Sequence, residues 1–482
     1  MVVNPDPSLP LSQLPQANHQ EATSALASGI GIVGGGQLAL MLAEAAQRQG
    51  VPIHVQTPGA ADPAVGLAST VIQAEIDDAS STRELSQRCV AISFENEWVD
   101  LDALAPLEEA GVVFLPSLES LWPLVDKRQQ RELLGRLSIP TPRWLPLQAL
   151  KTPVRAPSLG GIGPFGDPED AATMAAAGQA WDLPSPDPTA AALADAPGAT
   201  DHANPLAPEA PGDSGGGRSP QPPGRLPQGW SFPVVAKAIR GGYDGKGTRM
   251  VRSEQELGQL LEQVDAALWI LEEFVAFERE LAIVACRDRA GSVACYPLVE
   301  THQHRHVCDW VLAPAQASQA LEAMARNMAA SLLTALDYVG VLSIEFFYGS
   351  AGLLVNELAP RTHNSGHYSI EACTISQFAQ QVRIVSGQPL QAPELSAAGA
   401  LMVNLLGTEQ GDAETSAARA ALAALPGASL HWYGKHGSAL GRKLGHVTVL
   451  LQACEPGERE REARQRLEQI RTIWPRPEHD WS

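Results

Sequence analysis

Two acids frame the stretch VLSIEFFYGSAGLLVNELAPR at 341–361. Strand alternation puts Val341, Ser343 and Glu345 on one face, and Leu353, Val355 and Glu357 on one face of the next strand. A hairpin turning about Ala351 sets Glu345 opposite Glu357. Facing carboxylates destabilise a sheet unless a cation sits between them. Mg²⁺ suits such a place, being a hard ion whose oxygen shell phosphates can complete. Asn356 reaches the same site if the strand twists. The alternative is a solvated hairpin with two surface acids, and the apolar flanks weigh against it. Directly after comes PRTHNSGHYSIEA. Its Arg361, His363, Asn364, Ser365 and His367 are too crowded with donors for a core segment, and Gly366 admits close backbone approach.

A second constellation is KAIRGGYDGKG at 237–247, between the apolar run FPVVA and a second strand, TRMV. A glycine-rich turn between strands exposes N–H groups that can surround a phosphate, and lysines supply the opposite charge. A tight hairpin with a solvated tip remains open. The spacing excludes a P-loop, because three residues separate Gly241 from Gly245 and a glycine follows Lys246. In WYGKHGSALGRKLGHV, Lys435, Arg442, Lys443 and His446 form a cationic cluster fit for a substrate phosphate. A solvated charge run is the bland alternative. Gly34 to Ala39 spells G-x-G-x-x-A, but IHVQTPG carries no acid at its end to hold a ribose, which weighs against a dinucleotide site. The helix start behind those glycines is still a general anion site, or a plain tight turn.

The elements that must carry these residues follow from periodicity. GIGIV, PIHV, VAISF and VVFLP read as short strands, alternating with helices over GGGQLALMLAEAAQRQG and LDALAPLEEAG. That pattern predicts a parallel, doubly wound sheet. From about 230 to 390, strands and helices mix in α+β fashion, with LWILEEFV, ELAIVACRD and SVACYPLVE as strands and a helix near 316–337. The tail reads as three strands and a final amphipathic helix, EREREARQRLEQIRTI. Residues 1–28 read as a disordered extension, and 155–228, about a third Pro and Gly, as a mobile insertion.

At 482 residues the chain has room for several domains. Its formal charge of −20 argues against nucleic acid as a partner. Six cysteines without C-x-x-C spacing fit reduced thiols and give no zinc signature. No charged leader and no membrane-length apolar run is found, so a cytoplasmic protein is expected.

GIVGGGQL, SFENE, the DK at 126–127, AKAIRGGYDGKG, LEEFV…FERELA, EFF…NELAPRTHNSGH and YGK…GRKLGHVT together resemble the ATP-grasp 5-(carboxyamino)imidazole ribonucleotide synthase family of purine biosynthesis. The resemblance spans about residues 29 to 455. It implies an ATP-grasp fold, α/β and α+β, with a biotin-carboxylase-like N-terminal domain at 29–125. The ATP-grasp domain would run from 126 to 390 and contain the insertion; a β-rich portion with the terminal helix would occupy 391–482. The implied activity joins aminoimidazole ribonucleotide and bicarbonate at the expense of ATP with Mg²⁺, by way of carboxyphosphate. A homodimer and a downstream mutase are implied as well.

The resemblance also implies roles. Lys127 and Lys237 would reach the ATP phosphates. Glu272, Phe274 and Val275 would hold adenine through backbone groups, and Glu280 the ribose. Glu345 and Glu357 would carry Mg²⁺, with Asn356 beside them. Tyr243, Asp244 and Lys246 would contact the ribonucleotide and the reacting carboxylate. Asn364, Ser365, Gly366 and His367 would line the bicarbonate side, with Arg361 neutralising it. Lys435, Arg442 and Lys443 would hold the 5′-phosphate, and Glu95 and Gln37 would complete that pocket. A sister enzyme using formate and an idle nucleotide-binding module are the other readings, the latter opposed by the Glu345/Glu357 pair.

Overall fold

Short buried strands alternate with amphipathic helices from residue 30 onward. In the computed structural model, which describes residues 29–151, 224–242, 247–408, 412–435 and 440–477, β1 (Ile30–Val33), β2 (Ile53–Thr57), β3 (Thr70–Gln73) and β4 (Ile92–Phe94) run parallel in the order β3-β2-β1-β4. Between and after them lie α1 (Gln37–Arg48), α2 (Ala79–Ser86) and α3 (Leu101–Glu109). Ile30 and Ile32 pack with Leu42 and Ala46 of α1, whereas Val33, Ile92 and Phe94 pack with Leu85, Leu104 and Leu107 of α2 and α3. Helices therefore cover both faces, as the alternation predicts. VVFLP is the exception: it makes one isolated parallel bridge, Ile92 to Phe114, before Pro116 removes a donor.

Asp126 accepts hydrogen bonds from the backbone N–H groups of Arg128 and Gln129, at 2.9 and 3.2 Å, and so starts α4 (Lys127–Arg136). A four-stranded antiparallel sheet follows: β5 (Trp144–Pro146), β6 (Val234–Ala238), β7 (Thr248–Val251) and β8 (Trp269–Glu273), in the order β5-β8-β6-β7, with α5 (Glu254–Gln263) after β7. Strands β6 and β7 flank the glycine loop as their composition predicts, with Lys237 paired to Thr248. Most of the 155–228 segment lies outside the described residues.

The third sheet has nine strands: β9 (Arg279–Arg287), β10 (Val293–Cys295), β11 (Val299–His304), β12 (Val307–Ala313), β13 (Gly340–Gly349), β14 (Gly352–Ala359), β15 (Gly399–Leu406), β16 (Ala428–Trp432) and β17 (Lys443–Leu451). SVACYPLVE divides between β10 and β11 at Pro297 rather than forming one strand. The longer helices are α6 (Gln319–Ala335), α7 (Gln377–Val385), α8 (Asp412–Ala423) and α9 (Pro456–Ile473). One face, with Leu281, Ile283, Leu342, Ile344, Leu353 and Val355, packs on α6. The tail strands β15, β17 and β16 extend from β12, so the C-terminal portion is the far side of this same sheet.

Candidate active site

The hairpin of β13 and β14 holds the two acids as the spacing predicts, with Glu345 paired to Glu357. Its register contains a slip: Glu345 faces Glu357, yet Phe346 faces Val355. Asn356 is the extra residue of a β-bulge, which re-aims the residues around it. Strict alternation would have sent Glu357 to the same side as Val355, into the core under α6. The bulge reverses its phase. Leu353, Val355 and Leu358 remain in the core, and Asn356 and Glu357 both turn to the other side. Glu280 on β9 belongs to the same face as Glu345, because β9 and β13 pair Ala282 with Glu345 and Glu280 with Phe347. Burial, then Glu357 and Glu280, push the Glu345 carboxyl up to about 8. Burial lifts Glu280 to about 7. Burial would raise Glu357 too, but Lys127, Lys237 and Arg361 outweigh it and hold it below its ordinary value.

Cations from two other elements close on this face. Lys127, first residue of α4, donates to Glu357 Oε1 at 2.5 Å. Lys237, at the end of β6, donates to Asn356 Oδ1 at 2.9 Å and pairs with Glu272 Oε2 at 2.8 Å. Arg131, one turn after Lys127, donates to Glu272 Oε1 at 2.7 Å and to the Asn356 carbonyl at 2.6 Å. Burial alone would raise Glu272, but Arg131 and Lys237 bring it down to about 2. One carboxylate thus serves two cations, and burial, with Arg131 and Lys127 nearby, lowers Lys237. Three cations, Lys127, Arg131 and Lys237, face two ionised acids, Glu272 and Glu357. The surplus positive charge suits a polyphosphate. After β8, Phe274 is exposed and Val275 half-buried.

The first glycine cluster does other work than the sequence suggests. Glu95 Oε2 accepts from the Gly36 N–H at 2.6 Å, and Oε1 accepts from the Leu38 N–H at 3.1 Å. The acceptor at the start of α1 is therefore the protein's own Glu95 carboxyl, which burial pushes above its ordinary value despite the N–H donors of Gly36 and Leu38. A Cβ at Gly36 would lie 2.5 Å from Glu95 Oε1, and one at Gly35 2.5 Å from Thr57 Oγ1. The glycines make room for Glu95 and Thr57. Gln37, at the start of α1, accepts from Lys435 Nζ at 2.7 Å, and Arg361 pairs with Glu97 of SFENE at 2.7 Å. Of the remaining cations, Lys443 acts electrostatically on Glu345, and Arg442 is exposed.

The donor-rich segment after Arg361 is, contrary to expectation, a polar interior. The Asn364 and Asn404 amides exchange two hydrogen bonds, at 3.1 and 2.7 Å. Ser365 lies 3.2 Å from Ser343 Oγ and 3.0 Å from His363 Nδ1. Gly366 abuts the Gln377 side chain, 2.7 Å from where a Cβ would stand. His367 is fully buried, its Nδ1 3.2 Å from Gln377 Nε2. Apart from His367 Nε2, these groups find partners among themselves and Gln377, Asn404 and Ser343, which is what lets them be buried. His367 is thus linked to the cleft through Gln377 and His363, while His363 Nε2 stands 3.7 Å from Glu345 Oε1.

Comparison with known proteins matches an ATP-grasp domain at 225–378, a phosphoribosylaminoimidazole carboxylase C-terminal domain at 400–458 and a ribonucleotide synthetase preATP-grasp domain at 27–122. The chain is 42% identical to the N5-carboxyaminoimidazole ribonucleotide synthase of Synechococcus elongatus, over 93% of this chain and 96% of that one. This chain belongs to the N5-carboxyaminoimidazole ribonucleotide synthase family. Among solved members, the Thermus thermophilus synthetase aligns with a TM-score of 0.68 at 28% identity, covering 94% of this chain and 100% of the other. The Aspergillus clavatus synthase complexed with ATP aligns with a TM-score of 0.69 at 25% identity, over 92% and 98%.

Within this synthase fold, Arg131 and His363 carry no role in the sequence reading although both reach the acid pair or its partners. Arg131 had a signal: it follows Lys127 by four residues, hence the same face of α4. His363 had none beyond its crowded neighbourhood. Tyr243, Asp244 and Lys246 lie outside the described residues.

Proposed function

We propose that this chain is an ATP-dependent carbon–nitrogen ligase of purine biosynthesis. It carboxylates the exocyclic amine of 5-aminoimidazole ribonucleotide with bicarbonate, giving N5-carboxyaminoimidazole ribonucleotide, ADP and phosphate. Family membership supports the reaction, and one observation carries the reading onto these residues. Glu345 and Glu357 stand side by side on one sheet face, beneath lysines from α4 and β6.

Lys127 and Lys237 hold the ATP phosphates, with Arg131 keeping Glu272 ionised so that Lys237 stays in place. Backbone groups at Glu272, Phe274 and Val275 take the adenine, and Glu280 the ribose. The acid pair fits Mg²⁺: hard oxygen donors share one face, and Glu345 is half-buried near two other carboxyls with its charge suppressed, as befits a ligand awaiting a cation. Glu345 and Glu357 would hold the ion, with Asn356 adjacent. Bound there, Mg²⁺ would offset charge on the β- and γ-phosphates.

Bicarbonate oxygen then attacks the γ-phosphorus and ADP leaves, forming carboxyphosphate. The ribonucleotide amine takes the carboxyl carbon, phosphate departs and the nitrogen loses a proton. Arg361, kept charged despite burial by Glu97, attracts the bicarbonate. The interlocked Asn364, Ser365, Gly366 and His367 form the floor beneath it. Lys435, Arg442 and Lys443 hold the 5′-phosphate, with Gln37 and Glu95 on the other side. Tyr243, Asp244 and Lys246 are assigned contact with the ribonucleotide and the reacting carboxylate, where water must be excluded from a hydrolytically fragile intermediate. The same reading makes the enzyme a cytoplasmic homodimer whose product passes to a mutase.

ADP release should need both bicarbonate and aminoimidazole ribonucleotide for its full rate, with the N-carboxylated product accumulating. ADP formation indifferent to the ribonucleotide, with no such product, would overturn the reading.

A further inference from the structure

Lys435 does not stand alone. Its ammonium lies over the Tyr433 ring, 5.5 Å from the centroid, while it donates to Gln37. Tyr433 is buried, and its hydroxyl is 2.8 Å from Nδ1 of His446, which is fully buried on β17. Strands β16 and β17 pair His431 with His446, and the two rings stack at 4.5 Å and 12°. The His446 ring also meets that of His367, tilted by 40° at 4.9 Å, and His431 Nε2 lies 2.6 Å from Glu371. Burial holds His446 and His367 well below their ordinary values, so both rings are neutral.

This column is costly. Among the described residues, Nε2 of His446 and Nε2 of His367 are buried with no hydrogen-bond partner, where an apolar core would forfeit nothing. Departures from polar satisfaction concentrate where function demands them. The column also has a direction. One end is the ammonium of Lys435; the other passes from His367 through Gln377 to His363, beside Glu345.

We propose that Tyr433 and His446 are positioning residues for the ribonucleotide: the buried hydroxyl–imidazole contact fixes the Tyr433 ring plane, and the ring fixes the Lys435 ammonium against the 5′-phosphate. A long lysine side chain loses much rotamer freedom on binding. Holding it beforehand over an aromatic face lowers that cost for a phosphate ligand. The inference rests on the reading of Lys435 as a phosphate holder. It adds that the grip is set from inside the sheet.

Tyr433→Phe keeps the ring and removes the hydroxyl; His446→Gln removes the imidazole. Each should raise KM for the ribonucleotide about five- to tenfold, the scale of one lost buried hydrogen bond. The double variant should be no worse than the poorer single. KM for MgATP and kcat should stay near the parent's, while the thermal midpoint falls modestly with the lost buried hydrogen bond. An unchanged ribonucleotide KM, or KM values for both substrates rising together, overturns the proposal. A second measurement does not depend on turnover: acetylation of Lys435, followed by mass spectrometry on the free enzyme. Lys435 should react about threefold faster in both variants, reflecting a weakened cation–π contact, with other lysines unchanged. Equal labelling refutes the positioning role. If the parent's turnover ignores the ribonucleotide, the assigned activity has failed instead.

Discussion

Glu345 carries opposed requirements. As the proposed oxygen ligand for a hard cation it would have to be ionised, yet burial, Glu357 and Glu280 push it up to about 8 against the pull of Lys443 and Lys127. A carboxyl whose folded value is raised lends stability that is fully present below its unfolded value and lost as pH rises through the folded one. For Glu345 that window runs from its ordinary 4.5 to about 8. In chelator-treated buffer, Glu345→Gln should therefore match the parent near pH 4.5 and become the more stable of the two by pH 8.5, in urea unfolding. The same variant should lose at least about a hundredfold in ATP turnover, the scale of deleting a group that stabilises transition-state charge. A variant less stable than the parent at pH 8.5 would show that Glu345 is a structural acid. The opposite result makes the site a place where stability is given up for function.

Among elements, β14 and α1 show what local pattern can and cannot reveal. The facing of Glu345 and Glu357 was legible, though the observed turn pairs Gly349 with Gly352 and by itself would set Glu345 opposite Asn356. The bulge at Asn356 was not: one extra residue leaves no compositional mark, and only the finished pairing reveals it. At α1 the glycine spacing was legible as a tight strand-to-helix turn. Its purpose was hidden, since Glu95 lies 59 residues from Gly36. Likewise, the donors of 361–367 read as an exposed site because the partners that bury them, Asn404 and Gln377, come from distant elements. Gly36 has an ordinary φ of −76°, so Gly36→Ala tests close packing without backbone strain. The new methyl must displace Glu95, at a cost of about 1–3 kcal/mol. The thermal midpoint should fall, and KM for the ribonucleotide should rise more than KM for ATP. No change in either would mean that Glu95 swings aside freely.

At the scale of the whole chain, the alternation of strands and helices made the parallel sheet readable, and turn chemistry marked the β6–β7 hairpin. What local pattern could not supply was sheet membership: β15 joins β12 across 85 intervening residues, Pro314–Ala398, and such pairing depends on the folded whole. One large-scale feature is directly testable, the segment between Lys151 and Gly224. Its two ends are adjacent, for the Gly224 N–H donates to the Leu150 carbonyl at 2.9 Å. The ATP-grasp match begins at residue 225, and among the described residues those gathered around Glu345 and Glu357 come from α4, β6, β9, β13 and β14. Replacing 153–222 with a four-residue Gly-Ser linker should keep ADP formation, and its dependence on both co-substrates, within about threefold of the parent. Closing a far shorter loop costs less chain entropy, so unfolding free energy should hold or rise by up to about 2 kcal/mol. If turnover disappears while the unfolding transition stays intact, the segment takes part in catalysis, and the cleft described by α4, β6, β13 and β14 is incomplete without it.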